Sequence, residues 1–226
     1  MILADSSISI VVMAKAPEPG RTKTRLSPPL TPGEAAGLYS SMLLDTISRI
    51  GSLSAVDLWL AYTPDEEEAW FRQAIAPSFH LMAQRGDDLG QRMHRIIEER
   101  HAGGASGVVV VGTDLPTLPI EYVSEAIDRL QGGAEIILGP SEDGGYYLVG
   151  MREPDARLFE GISWSRKTVL RETVDKASEL EKAVVTVPSW YDIDTPPDLD
   201  RLKRELENLP EDDHYPRHTA DFLRWM

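Results

Sequence analysis

Four consecutive valines stand between Gly107 and Gly112. A strand that is apolar at every position has no face to offer water, so it belongs inside a parallel sheet covered by helices on both sides. Residues 8–14, 56–62, 136–138 and 184–187 are further strand-like runs, with a weaker one at 79–83. Between them the period changes. Thr31, Pro32 and Glu34 supply an N-cap, a proline at the first helical position and an acid at the third, and Ala35, Leu38, Met42, Leu43, Ile47 and Ile50 recur at helical spacing. Helices are also expected over 65–75, around Leu89, Met93, Ile96 and Ile97, and over 119–130, 167–180 and 196–209. The run 146–149 follows Gly144-Gly145 too closely after the preceding strand for a helical crossover, so it is expected to be antiparallel. The expected fold class is α/β, a mainly parallel sheet with one antiparallel strand near Tyr147.

At 226 residues the chain suits one such domain, assigned to 1–209, and residues 210–226 read as a polar, poorly patterned tail. Lys plus Arg number 23 against 37 Asp plus Glu, a net charge of -14 that repels nucleic acid and anionic lipid. Without cysteine, any metal must be held by oxygen or imidazole. The N-terminus has only a short apolar run with no basic segment before it, and no stretch is long enough for a membrane span, so a cytoplasmic address is expected.

In parallel α/β sheets ligands bind beyond the carboxyl ends of the strands, so the loops there carry the functional expectations. KAPEPGRTKTRL follows the first strand and gathers Lys15, Arg21, Lys23 and Arg25 in an otherwise acidic protein. Clustered cations and a Gly20 that permits close backbone approach suit phosphate oxygens; a basic surface turn is the bland alternative. The loop is neither a Walker A sequence nor a GxGxxG fingerprint. GTDLPTLP follows the valine run and places Asp114 where a single carboxylate could anchor a metal-diphosphate, while Thr117 suits the cap of the next helix.

GPSEDGGYY combines Asp143, which could hydrogen-bond sugar hydroxyls or act as a base, with Gly144 and Gly145 for substrate approach and Tyr146 for stacking; a tight hairpin explains it as well. In WYDIDTP, Asp192 and Asp194 share a face if the segment is extended, a metal-binding pattern, although Asp194 could cap the last helix. Residues 84–92 could line the same crevice, although a polar helix entrance explains them equally well.

The ordered set KAPEPGRTKTRL, GTDLPTLP, GPSEDGGYYLVGM, ISWS and DIDTPPDL resembles a family of bacterial GT-A-fold, glycosyltransferase-like proteins. That family is grouped with nucleotide-diphospho-sugar transferases and is more distantly similar to molybdenum-cofactor and phospholactate guanylyltransferases. The resemblance implies a Rossmann-like GT-A three-layer α/β/α sandwich. It also implies phosphates surrounded by Lys15, Gly20, Lys23 and Arg25, and a divalent metal, Mg or Mn, on Asp114 with Asp192 or Asp194. The DxD triplet of many glycosyltransferases is absent at the central strand, where Thr113-Asp114-Leu115 stands. The leading expectation is glycosyl transfer from a metal-bound nucleotide-sugar to a small-molecule acceptor, with Asp143 as base. The alternative is nucleotidyl transfer from a nucleoside triphosphate to a phosphorylated small molecule, releasing pyrophosphate.

Overall fold

The computed structural model describes residues 7–226; the first six, on which part of the N-terminal expectation falls, lie outside the described residues. The first half runs β1 (Ile8–Lys15), α1 (Pro32–Ile50), β2 (Val56–Thr63), α2 (Glu68–Ala74), β3 (His80–Ala83), α3 (Leu89–Ala102) and β4 (Gly107–Val111). It continues with α4 (Ile120–Gln131), β5 (Ile136–Pro140), β6 (Tyr146–Met151), α5 (Val169–Glu179), β7 (Val184–Thr186), α6 (Pro196–Leu206) and α7 (Arg217–Arg224). Among the described residues, seven strands form one sheet in the order β3-β2-β1-β4-β6-β5-β7. β6 runs antiparallel to both β4 and β5, and every other pairing is parallel.

The valine run has the expected burial for a simple geometric reason. Side chains alternate across a strand, so Val109 and Val111 enter one core layer while Val108 and Val110 enter the other. Ile10, Val12 and Val11 repeat this division on β1. The first layer is closed by α1, α2, α4 and α6, and the second by α3 and α5, giving the three-layer α/β/α sandwich. Each fully buried Leu, Ile or Val contributes roughly 1.5–3 kcal/mol relative to exposure, which is what holds both layers to the sheet.

Three local expectations are corrected. Leu89 is not on the buried face of α3 but 45% exposed, while Met93, Ile96 and Ile97 are buried. Thr117 does not cap α4: the turn closed by Leu118 N–H on the Leu115 carbonyl, at 3.1 Å, intervenes, and the helix starts after Pro119 without a side-chain cap. Residues after 209 are not merely unpatterned, because α7 docks on α1 there. Asp45 on α1 accepts from the backbone N–H groups of His218 and Thr219 at 3.0 and 2.7 Å. Gly37 leaves room for the Phe222 ring, which a Cβ would meet at 2.6 Å.

Candidate nucleotide-binding cleft

The carboxyl ends of β1 and β4 open into a cleft of about 890 Å³. Tyr39 on α1 ties these ends together from below. Its hydroxyl accepts from Lys15 N–H at 2.9 Å and shares a hydrogen bond with Thr113 Oγ1 at 3.0 Å. Burial, reinforced by the Asp114 charge, pushes the Tyr39 hydroxyl up to about 12, so it stays protonated as a fixed strut.

The basic loop is held by its own polar groups. Buried Thr22 donates to the Ala16 carbonyl at 3.0 Å and accepts from Glu18 N–H at 3.2 Å, and the Lys15 ammonium donates to the Arg21 carbonyl at 2.9 Å. Gly20 serves the turn through its φ of 76° and is not among the residues that line the cleft. Lys23 is left-handed at φ 50°, a conformation that costs a non-glycine residue roughly 1 kcal/mol. That backbone setting aims its side chain inward, where only 4% of it is exposed.

Lys23 joins the two halves of the site. Its ammonium lies 2.9 Å from Asp114 Oδ1 and 2.8 Å from Asp194 Oδ1, and the Arg25 guanidinium binds the other oxygen of Asp194. Burial works against charge on Lys23, but Asp114 and Asp194 outweigh it and raise its pKa. Burial likewise opposes charge on Asp194, and Lys23 with Arg25 reverses the balance, lowering its pKa. Asp194 is therefore an ion-pair partner and not the cap of α6. The cap is Thr195, whose backbone N–H and hydroxyl both donate to Asp198 Oδ2 at 2.7 Å.

The segment 192–194 is extended beside β4, with Ile193 N–H donating to the Asp114 carbonyl at 2.9 Å. Ile193 points into the core, while Asp192 and Asp194 line the cleft on the shared face expected from their spacing. Asp192 accepts from the Ser141 hydroxyl. Burial, then the charges of Asp114, Asp143 and Asp194, push the Asp192 carboxyl up to about 7 despite that bond.

The hairpin residues divide. Asp143 is exposed at the rim, and its Oδ1 accepts from Gly145 N–H at 2.9 Å. Gly144, at φ 95°, is required by the Lys167 carbonyl, which a Cβ would meet at 2.1 Å, so substrate approach does not explain it. Gly145 lines the cleft. Tyr146 also lines it, with its ring edge-on to Trp164 at 6.5 Å, and burial strongly raises the pKa of its hydroxyl.

Sequence reasoning from spacing missed the opposite wall, where Trp164, Ser165, Arg166 and Lys167 face the cleft. The signal available was the adjacent pair Arg166-Lys167, at the start of the helix expected over 167–180. Among the described residues lining the cleft, seven are Lys or Arg and four are Asp. The cavity is therefore locally positive in a protein of net charge -14. That local sign decides which ligands can enter.

The fold is of the nucleotidyl and nucleotide-sugar transferase type, and the proteins to which the chain is similar are transferases. The chain belongs to the family of uncharacterized proteins conserved in bacteria, DUF2064, which matches residues 46–166. It is similar to a crystal structure from Desulfovibrio desulfuricans G20, provisionally named a nucleotide-diphospho-sugar transferase, at 33% identity and a TM-score of 0.86, covering 97% of this chain and 98% of that one. It is 26% identical over 208 residues to 2-phospho-L-lactate guanylyltransferase of Methanothermobacter thermautotrophicus, covering 89% of this chain and 84% of that protein. Over 111 residues it is 33% identical to phosphoenolpyruvate guanylyltransferase of Mycobacterium leprae, covering 46% of this chain and 50% of that protein. Among the described residues no helix is long and apolar enough to cross a membrane.

Proposed function

We propose that the chain is a nucleotidyltransferase that joins a nucleoside triphosphate to a phosphorylated small molecule and releases pyrophosphate. The observation that carries this reading is the inward-turned Lys23, held with Arg25 against Asp114 and Asp194 in a locally positive cleft. The guanylyltransferase relatives favour it over the glycosyl transfer expected from the family resemblance.

In this reaction a phosphate oxygen of the acceptor attacks the α-phosphorus, a new P–O bond forms, and the bond to the β-phosphate oxygen breaks. Lys15, Lys23 and Arg25 bind the β- and γ-phosphates and neutralise charge that accumulates on the departing pyrophosphate. Arg166 and Lys167 on the far wall bind the anionic acceptor. Since the attacking phosphate oxygen is already anionic, no proton acceptor is needed, and a base at Asp143 belongs only to the glycosyl-transfer reading.

The residues fit a divalent metal. Among the described residues no three carboxylate or imidazole ligands are preassembled, but magnesium characteristically takes one or two protein carboxylates together with substrate phosphates. Asp114 with Asp192 or Asp194 would hold it, and the carboxylate charges that add to burial in raising Asp192 are the field a bound cation would relieve. When bound, Mg or Mn supplies positive charge to the triphosphate. The cytoplasm, where triphosphates are supplied, is the address this reading requires.

The test is to incubate the protein and Mg²⁺ with GTP and 2-phospholactate or phosphoenolpyruvate, and separately with nucleotide-sugars, while assaying both leaving groups. Pyrophosphate from GTP is expected. Nucleoside diphosphate released from a nucleotide-sugar, without pyrophosphate from any triphosphate, would replace this reading by glycosyl transfer.

A further inference from the structure

Gln84 is the first residue beyond β3, and its backbone N–H extends the ladder by donating to the Tyr62 carbonyl at 2.8 Å. Its side chain reaches back across β2 to β1. Nε2 donates to the Ala14 carbonyl at 2.9 Å and to the Ala61 carbonyl at 2.8 Å. Both amide hydrogens are thereby engaged. Turning the carboxamide over would set its oxygen against two carbonyl oxygens, so its orientation is fixed by the hydrogen bonds and not by choice. Oε1 remains as the acceptor that Gln84 can present to the cleft it lines.

Arg92 stands on the same wall. Its Nε donates to the Gly86 carbonyl at 3.1 Å, which orients the guanidinium and leaves its terminal N–H groups as donors. Leu89, 45% exposed, and Met13 and Met93 add apolar surface beside these two polar groups. A flat ring with polar edges suits this combination, whereas a phosphate does not.

We propose that Gln84 and Arg92 read the lactam edge of a nucleobase, with Oε1 accepting from the ring N–H and Arg92 donating to the adjacent carbonyl, and that the preferred purine is guanine over adenine. The inference rests on the nucleotidyl-transfer reading for the presence of a nucleotide, and deepens it by assigning the base. Guanine presents the N–H donor and the carbonyl acceptor side by side. Adenine inverts both, offering a bare ring nitrogen to Oε1 and an amino group to the guanidinium. Inosine keeps the lactam and lacks only the 2-amino group. An acceptor that cannot rotate discriminates more sharply than one that can, because the wrong base leaves buried polar groups unpaired.

The experiment is calorimetric binding of GTP, ITP and ATP with Mg²⁺ to the full chain and to Gln84→Met, which retains the side chain's length and removes the acceptor. The unaltered protein is expected to bind GTP and ITP within about threefold of each other and ATP about tenfold or more weakly, at least the worth of one hydrogen bond. Gln84→Met should reduce the GTP-to-ATP ratio by about tenfold through weaker GTP and ITP binding. Inorganic pyrophosphate affinity, which reports the phosphate loop alone, should stay unchanged and so separates loss of base reading from loss of fold.

An unchanged GTP-to-ATP ratio in Gln84→Met would overturn the assignment, as would equal binding of GTP and ATP by the unaltered protein. Preference for GTP over ITP by tenfold or so would move recognition to the 2-amino group and also overturn it. Failure of all three nucleotides to bind while nucleotide-sugars do would remove both this assignment and the nucleotidyl reading, whereas equal binding of all three removes the assignment alone.

Discussion

Asp45 and Asp194 are both acids largely withdrawn from water, and each grips a segment about 170 residues away in sequence, yet they are stabilised in opposite ways. Asp45 meets neutral donors, the backbone N–H groups at the start of α7, and burial wins over those bonds, raising its pKa. Asp194 meets two cations, and they win over burial, lowering its pKa. The first is a joint that fastens a helix. The second keeps cationic groups and carboxylates together in an open cleft, an arrangement that serves a charged ligand better than it serves stability, since a shielded ion pair contributes little net folding energy.

The largest effect that would sharpen this contrast is expected at Asp114, which shares Lys23 with Asp194. Asp114→Asn should weaken Mg²⁺-dependent GTP binding by about a hundredfold, near 2.7 kcal/mol, with little change in thermal midpoint. Undiminished binding would remove Asp114 from the metal set. Next comes the joint. Asp45→Ala should lower unfolding free energy by about 2 kcal/mol in urea titrations, the upper range for losing a helix cap, while GTP affinity is retained. If affinity falls with stability, the two regions are coupled and the contrast fails.

A smaller change, about tenfold, is expected for pyrophosphate binding to Lys23→Ala, the worth of one hydrogen bond to a charged group. Mg²⁺ binding in the absence of nucleotide should not weaken in this variant, because Asp114 and Asp194 lose an internal competitor. Weaker Mg²⁺ binding would show that Lys23 organises the carboxylates instead of competing for them. The smallest effect is in pH dependence. Because the folded pKa of Asp45 lies above its ordinary value of 3.8, its contribution to stability is complete below that value and declines as pH rises through the folded pKa. The destabilisation by Asp45→Ala should therefore be larger near about pH 4 than near about pH 7. An equal difference at both would contradict the assigned direction.

The same contrast explains what could be read from the sequence. The valine run, the β1 loop and the spacing of Asp192 and Asp194 are local signals, since period and strand position alone put those side chains at the cleft. Docking of α7 is not local. Its eight residues are polar overall, and their helix depends on Asp45 and on the absence of a side chain at Gly37, both far away in sequence. Gly144 misled for a related reason, because its need for space comes from the Lys167 backbone. Gln84 was visible only as part of a polar stretch; its two bonds to neighbouring strands became apparent when β1, β2 and β3 were set side by side.

The most direct test of the account is the salt dependence of pyrophosphate binding without metal. A net charge of -14 acting as a whole repels the anion, so screening by salt would strengthen binding. A cleft with a local excess of Lys and Arg attracts it, so affinity should fall steadily as KCl is raised from about 0.01 to about 0.3 M, where the Debye length shrinks from roughly 30 to roughly 6 Å. Affinity that rises or stays flat across that range would contradict the central claim that this acidic protein holds a positive site for phosphates.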